Sequence, residues 1–128
     1  MKLLLEVRPV EHLEASVEYY RGLGLVAVGW PDDETALLAA PGSEATIVLV
    51  RDPAEAALGA GGVYDVGGVD DFYRTHEELD WLIAPVSTAL GRYAVFADRT
   101  GTCVRLLDPD PHLGAVGGTA FRLYAAAG

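Results

Sequence analysis

The sequence predicts an α+β fold made of two consecutive βαβββ modules. The segment TIVLVRDP at residues 46–53 is nearly repeated as TCVRLLDP at residues 102–109, which lies 56 positions later. The same spacing pairs apolar residues elsewhere in the chain without a gap, as in Val7 with Val63. A half of about fifty residues is too small to bury a core alone, so the repeat indicates two copies of one unit that pack together.

The first module, residues 1–53, combines one helix pattern with four strand patterns. Its strands are rich in β-branched residues and Leu, and Pro, Gly and Asp residues mark the turns between them. In the helix pattern, apolar Leu13, Val17 and Tyr20 recur at the spacing of one helix face, and two glycines end the pattern. The predicted order is a strand at 3–10, a helix at 11–24, and strands at 25–30, 35–40 and 45–52.

The second module, residues 63–109, repeats this order. Its helix pattern places Val69, Phe72 and His76 on one apolar face. The predicted elements are a strand at 61–67, a helix at 69–79, and strands at 81–86, 91–97 and 102–108. The small-residue segment 54–62 is predicted as a linker between the modules, and residues 110–128 as a C-terminal extension outside the repeat. Together these parts form one domain, residues 1–128.

Composition and charge narrow the classes of partner. The chain has 128 residues, of which 51% are hydrophobic, and this is enough for a buried core. Its net charge of −10 argues against a nucleic-acid partner, because phosphate binding needs clustered Lys and Arg. Its apolar runs are far shorter than the roughly 20 residues that span a bilayer, and its start lacks a signal-peptide pattern. We therefore expect a cytoplasmic protein with no membrane partner.

Two segments, together with the internal repeat, carry a resemblance to a known family. VEHLEASVEYYRGLGL at residues 10–25 resembles the first helix and following turn of the vicinal oxygen chelate superfamily, the glyoxalase/bleomycin resistance protein/dioxygenase proteins. FADRTGTCVRLLDP at residues 96–109 resembles the last hairpin of that superfamily. The resemblance covers about residues 1–110. It implies that the strands curl into a half-barrel around a cavity, and that the protein is a homodimer.

The resemblance also implies where a metal would bind. Enzymes of this superfamily hold a divalent metal with His, Glu or Gln on the first and fourth strands of the modules. The corresponding positions in this chain are Leu5, Leu49, Gly61 and Arg105. None of them is a metal ligand, and a guanidinium repels a cation, so we expect neither a metal nor another cofactor. A shift of one residue would instead bring Glu6 to such a position, which leaves an unusual metal site as the alternative.

Arg105 is the charged residue of an otherwise apolar strand. Alternate strand residues share a face, so Cys103, Arg105 and Leu107 are predicted to face the cavity, with Leu49 on the corresponding face of the first module. In one interpretation, Arg105 binds an anionic or carbonyl-bearing group of a ligand through its planar fork. In the other, it pairs with a buried carboxylate such as Glu6 or reaches solvent along its aliphatic stem.

Aromatic residues lie near predicted turns of both modules. Trp30 closes a strand of the first module, while Trp81 and Tyr93 open strands of the second. Such rings could stack on a planar ligand, and Asp33 and its acidic neighbours in PDDE, residues 31–34, could attract positive charge. Ordinary core packing is the alternative for Trp81 and Tyr93.

These observations favour a metal-free protein that binds a small, antibiotic-like molecule of aromatic or cationic character over an enzyme, and they leave the enzyme alternative open. No catalytic residue is assigned. One alternative is a divalent-metal-dependent lyase or dioxygenase of the same superfamily, and another is an interaction module without a ligand. The predicted ligand-binding residues are Arg105, Trp30, Trp81, Tyr93, Glu6 and Asp33.

Overall fold

The computed structural model describes residues 1–109 and contains eight strands and three helices in that range. The predicted extension at 110–128 lies outside the described residues. Both modules have the predicted βαβββ order. The elements are β1 (Lys2–Pro9), α1 (Leu13–Gly22), β2 (Val26–Asp32), β3 (Thr35–Ala39), β4 (Ile47–Val50), α2 (Pro53–Leu58), β5 (Gly61–Asp65), α3 (Val69–Thr75), β6 (Asp80–Thr88), β7 (Gly91–Ala97) and β8 (Cys103–Pro109).

All eight strands form one mixed sheet, curled into a half-barrel, with the order β2-β3-β4-β1-β5-β8-β7-β6. Within each module the first strand runs parallel to the last, and the other pairs are antiparallel. The two modules meet where β1 pairs antiparallel with β5. The fold class predicted from the sequence is confirmed.

The sheet has two distinct faces. On the helix face, α1 packs over Ala36, Leu38 and Leu49, while α3 packs over a second cluster that includes Phe96 and Leu106. On the opposite face, which we call the cavity face, apolar side chains from both modules form one shared cluster. Its buried strand residues are Leu5, Val7, Leu37, Val48, Val63, Tyr93, Val95 and Leu107. The modules therefore share a core along the cavity face, while each helix covers its own half.

The strand register corrects the alignment of the two repeats. In the first module Val7 pairs with Val48, whereas its counterpart Val63 in the second module pairs with Arg105. Val48 is thus the structural counterpart of Arg105, 57 positions away. The prediction that Leu49 lies on the cavity face was wrong. Side chains alternate along a strand, so a shift of one residue places Leu49 on the helix face, where it packs against α1.

The segment between the modules is partly helical. Asp52 precedes α2 and accepts a hydrogen bond from the Ala54 backbone N–H, and Pro53 occupies the first turn, where its missing N–H costs nothing. Gly59 ends the helix with a φ of 82°, a left-handed conformation that favours glycine. The predicted linker 54–62 therefore contains most of α2 and the start of β5.

The two terminal strands of the sheet share a feature. Pro31 in β2 and Pro85 in β6 each fall where the pairing with the neighbouring strand shifts its register. Proline cannot donate a backbone hydrogen bond, so it is tolerated at such irregular edge positions. Among residues 1–109, no helix is long and apolar enough to cross a membrane.

Candidate functional site

The cavity face carries a pocket with a volume of about 130 Å³. It lies between the central strands, the N-terminal part of α2 and the turn that joins β6 to β7. Most of its wall is apolar, and the polar part comes from three carboxylates, two threonines and one tyrosine. The wall consists of Val7, Asp32, Thr35, Val48, Val50, Asp52, Glu55, Val63, Thr88, Ala89, Leu90, Tyr93 and Leu107.

Arg105 lies beneath this pocket and is completely buried, with 0% of its surface exposed. Its Nε donates to Glu55 Oε1 over 2.9 Å, and its Nη2 donates to the carbonyl of Gly59. Its Nη1 is buried without a partner in the described part of the chain. Space for this group comes from Gly61, where an added Cβ would lie 3.0 Å from Nη1. The guanidinium is therefore neutralised by the chain itself, through a carboxylate on α2.

Glu55 is the centre of this arrangement. Its Oε1 accepts from Arg105, and its Oε2 accepts from the Tyr93 hydroxyl over 2.7 Å. Only 13% of its side chain is exposed, although α2 itself contains no buried residue. Burial raises the pKa of the Tyr93 hydroxyl well above its ordinary value, and the negative charge of Glu55 raises it further. Tyr93 therefore stays protonated and donates a hydrogen bond to Glu55.

The charged groups on the pocket wall are all acidic. Asp32 and Asp52 each accept a backbone N–H, from Glu34 and Ala54 respectively, and both are exposed. With Glu55 they place three carboxylates around a small apolar space. No Lys or Arg among the described residues forms part of this wall. Asp32 and Asp52 therefore add negative charge beside an apolar space, while the charge of Glu55 is balanced by Arg105.

The predicted site residues divide between the pocket and other places. Tyr93 lines the pocket, and Arg105 lies directly behind Glu55. Asp33 is exposed in the turn beside Asp32 and does not form part of the wall. Trp30 is 50% exposed on the terminal strand β2 and also lies outside the pocket.

Trp81 and Glu6 lie on the opposite face of the sheet from the predicted site. Trp81 packs against Phe72 and Phe96 in the core under α3, and its Nε1 donates to the His76 carbonyl over 2.9 Å. Trp81 therefore follows the core-packing alternative. The prediction that it lies in the ligand site is corrected, because it does not form part of the pocket wall. Glu6 pairs with Arg8 on the helix face because it alternates with the cavity-face residues around it. It therefore neither lines the pocket nor pairs with Arg105.

The residues of the cavity face do not fit a divalent metal. On the strands where the resemblance places ligands, the structure presents Leu5, Val48, Gly61 and Arg105. Alkyl groups and a glycine offer no side-chain donor atoms for a metal, and a guanidinium has only N–H groups and no lone pair to coordinate one. Across residues 1–109, no group of three or more His, Cys, Asp or Glu side chains is arranged to hold a metal.

Sequence reasoning missed Glu55 and Asp52. Both lie in or beside the segment interpreted as a linker, because its Ala and Gly content was given more weight than its start. Asp52 followed by Pro53 is a helix N-terminal signal, and the Ala-rich residues after it favour a helix. The contact between Glu55 and Arg105 spans 50 positions, and no local pattern predicts such a pair.

Among known proteins, this chain is similar to solved structures only in its fold. No family model and no curated protein matches the sequence. A solved structure described as an NAD-dependent benzaldehyde dehydrogenase from Legionella pneumophila is similar at a TM-score of 0.66 and 18% identity, over 83% of this chain and 98% of that chain. A glyoxalase/bleomycin resistance protein/dioxygenase superfamily member from Vibrio splendidus 12B01 is similar at 0.59 and 17%, over 82% and 97%.

A third similar structure, an uncharacterized protein from Methanosarcina mazei, has a TM-score of 0.53 and 20% identity, over 86% of this chain and 95% of that chain. The names of the three structures differ. At these identities the likeness concerns the arrangement of the chain in space, and the chemistry of the pocket has to be argued from its own residues.

Proposed function

Because the chain has the fold of the glyoxalase/bleomycin resistance protein/dioxygenase superfamily, as its sequence predicted, we propose that it binds a small organic molecule in the pocket of the cavity face without a metal. The observation that carries the proposal is the pocket itself, an apolar space that both modules line and that α2 closes on one side. Concave, mostly apolar pockets with a few placed polar groups are typical of small-molecule sites. The proposed ligand is aromatic or cationic.

The volume of the pocket limits what can enter it. An apolar cavity of about 150 Å³ is large enough to hold benzene. At about 130 Å³, this pocket accommodates one ring or a short branched alkyl group. A larger, antibiotic-sized ligand would insert one such group here and leave the rest outside. This limit favours small ring compounds as the first probes.

Calorimetric titration with a series of monocyclic aromatic compounds tests the proposal. Val50 lines the pocket, so Val50→Phe fills it and should abolish binding. Val26→Phe is the matched control, because it adds the same ring to a partly exposed strand residue outside the pocket. Binding that is lost only in Val50→Phe supports the proposal. Absence of binding to the wild-type protein, or equal binding to both variants, would contradict it.

A homodimer and a cytoplasmic location belong to the same proposal and rest on the resemblance and the composition. A second copy could extend the wall around the part of a larger ligand that one pocket leaves outside. Light scattering with size-exclusion chromatography measures the mass in solution, and a mass equal to one chain would overturn the dimer. If the protein bound no compound yet still formed a specific complex with another protein, the interaction-module alternative would replace this proposal.

A further inference from the structure

The hydrogen-bonding groups of the pocket wall differ in what they still offer a ligand. Tyr93 directs its proton to Glu55, so its oxygen can face a ligand only as an acceptor. The Thr88 hydroxyl donates to the Gly91 carbonyl and accepts from the Leu90 N–H. Glu55 uses one lone pair on each oxygen and retains acceptor capacity on both. Apart from Thr35, the described polar side chains of the wall therefore offer a ligand hydrogen-bond acceptors and no free donors.

The position of Arg105 adds a second constraint on the groups that a ligand can contact. Its Nε and Nη2 donate to Glu55 and Gly59, its Nη1 is buried beside Gly61, and the residue does not form part of the pocket wall. The guanidinium therefore holds Glu55 in place and balances its charge without contacting a ligand in the pocket. An ion pair buried in this way is costly, and here it fixes a carboxylate beside an apolar pocket. A ligand in the pocket meets the carboxylate and the tyrosine oxygen first.

We propose that the ligand of this pocket is a protonated amine on a ring-sized apolar body, and that Glu55, with Asp32 and Asp52, selects it. The inference deepens the proposed function and rests on it. An ammonium group brings N–H donors that match the acceptors of the wall, and its charge is opposite to that of the carboxylates. A charge-assisted hydrogen bond of this kind is stronger than one between neutral groups.

The same wall discriminates against other polar groups. A ligand carboxylate would be repelled by Asp32 and Asp52, and it would not contact Arg105, which lies outside the pocket wall. A ligand alcohol could donate one hydrogen bond, but it gains nothing from the negative potential. Specificity then arises both from the match with the amine and from repulsion of the acid. Arg105 and Tyr93 act here as positioning residues, since both act through Glu55.

Three compounds of the same shape test the inference: benzylamine, benzyl alcohol and benzoate. Calorimetric titration at neutral pH and low salt should give the amine an affinity at least about tenfold higher than the alcohol, with no measurable binding of benzoate. If the alcohol binds as tightly as the amine, or if benzoate binds more tightly, the inference fails and the proposed function stands. If none of the three compounds and no other ring compound binds, the proposed function itself fails.

A pair of isosteric variants locates the selectivity. Asp32→Asn removes one wall charge and keeps a side-chain oxygen for the Glu34 N–H, so the amine should lose about threefold to tenfold in affinity and the alcohol should not. Asp65→Asn is the matched control, because Asp65 accepts a backbone N–H two positions later in the same way but lies outside the pocket. Equal losses of amine affinity in both variants would show a general effect of net charge, and the selectivity could then not be assigned to the pocket wall.

Discussion

Arg105 and Glu55 join the last described strand of the sheet to the helix that connects the two modules. The guanidinium Nε and the carboxylate Oε1 are 2.9 Å apart, and the arginine has no exposed surface. α2 has no fully buried residue, and it is held against the pocket by this pair, by the Tyr93 hydrogen bond and by half-buried Leu58, which packs on the cavity-face cluster. The shape of the pocket therefore depends in part on one ion pair.

The free energy of unfolding should reflect this dependence. Glu55→Gln leaves Arg105 buried without an opposite charge, and removing one partner of a buried pair destabilises a protein by about 3–5 kcal/mol. Arg105→Met combined with Glu55→Gln removes the buried charge as well, so the double variant should be more stable than Glu55→Gln alone. Urea denaturation measures both differences. Strictly additive losses would show that the two residues are not coupled.

Tyr93 should make stability depend on alkaline pH. Its pKa is raised in the folded protein, so above the ordinary tyrosine pKa, about 10, the unfolded chain loses this proton while the folded chain keeps it. The unfolded state then binds fewer protons than the folded state, and stability falls as pH rises, by up to about 1.4 kcal/mol per pH unit for one group. The contribution of the Tyr93 hydroxyl to the free energy of unfolding is fully present below about pH 10 and is lost progressively above it.

Tyr93→Phe tests this dependence, because it removes the ionisable hydroxyl and keeps the ring. At neutral pH it should destabilise by about 1.5–3 kcal/mol through the lost hydrogen bond to a charged group. Above pH 10 its free energy of unfolding should fall less steeply than that of the wild type. Tyr19→Phe, at an exposed position on α1, is the control. Parallel curves for Tyr93→Phe and the wild type would contradict the prediction.

Gly61 should be sensitive to the smallest enlargement. A Cβ at this position would lie 3.0 Å from Arg105 Nη1, and the guanidinium is held by Glu55 and Gly59, so it cannot move without straining those bonds. Gly61→Ala should therefore destabilise by about 1–3 kcal/mol, as overpacking does in other cores. Thermal unfolding measures the loss. In an Arg105→Met background, Gly61→Ala should reduce the stability less. An equal loss of stability in both backgrounds would show that the effect does not come from a clash with the guanidinium.

Divalent metals should have no specific site on the cavity face. Zn²⁺ or Mn²⁺ added to chelator-treated protein should leave the unfolding midpoint unchanged, since the carboxylates among the described residues there are not grouped to hold a metal. Glu6→Ala should change stability by at most about 1 kcal/mol, because its pair with Arg8 is partly exposed. A stoichiometric metal that disappears in Glu6→Ala would restore the metalloenzyme alternative.

The sequence predicted the elements well where apolar periodicity and turn residues agree. The strand at 91–97 and the first buried positions of both helices, Leu13 and Val69, follow from local patterns. The face of the sheet on which each side chain lies was harder to predict. Aligning the repeats by their letters placed Leu49 opposite Arg105, while the backbone pairing places Val48 there. A strand has a side-chain period of two, so an error of one position reverses the face completely.

The candidate site was predicted only in part, for a related reason. The sequence predicts Tyr93 as a ligand-binding residue, and the structure places it in the pocket wall, while the partner of Arg105 is Glu55 rather than Glu6. Which carboxylate lies nearest depends on how far α2 folds back over the sheet. That geometry is decided by tertiary contacts between residues 50 positions apart, and composition alone does not contain it.

The prolines of the terminal strands have a consequence for assembly. An open sheet exposes rows of backbone donors and acceptors that invite another chain to add a strand and begin aggregation. Pro31 and Pro85 each remove one backbone donor from β2 and β6, at points where these strands also depart from regular pairing. Two copies joined edge to edge as one continuous sheet are therefore disfavoured. The homodimer proposed above would then have to form through side-chain surfaces, leaving both terminal strands outside any shared ladder.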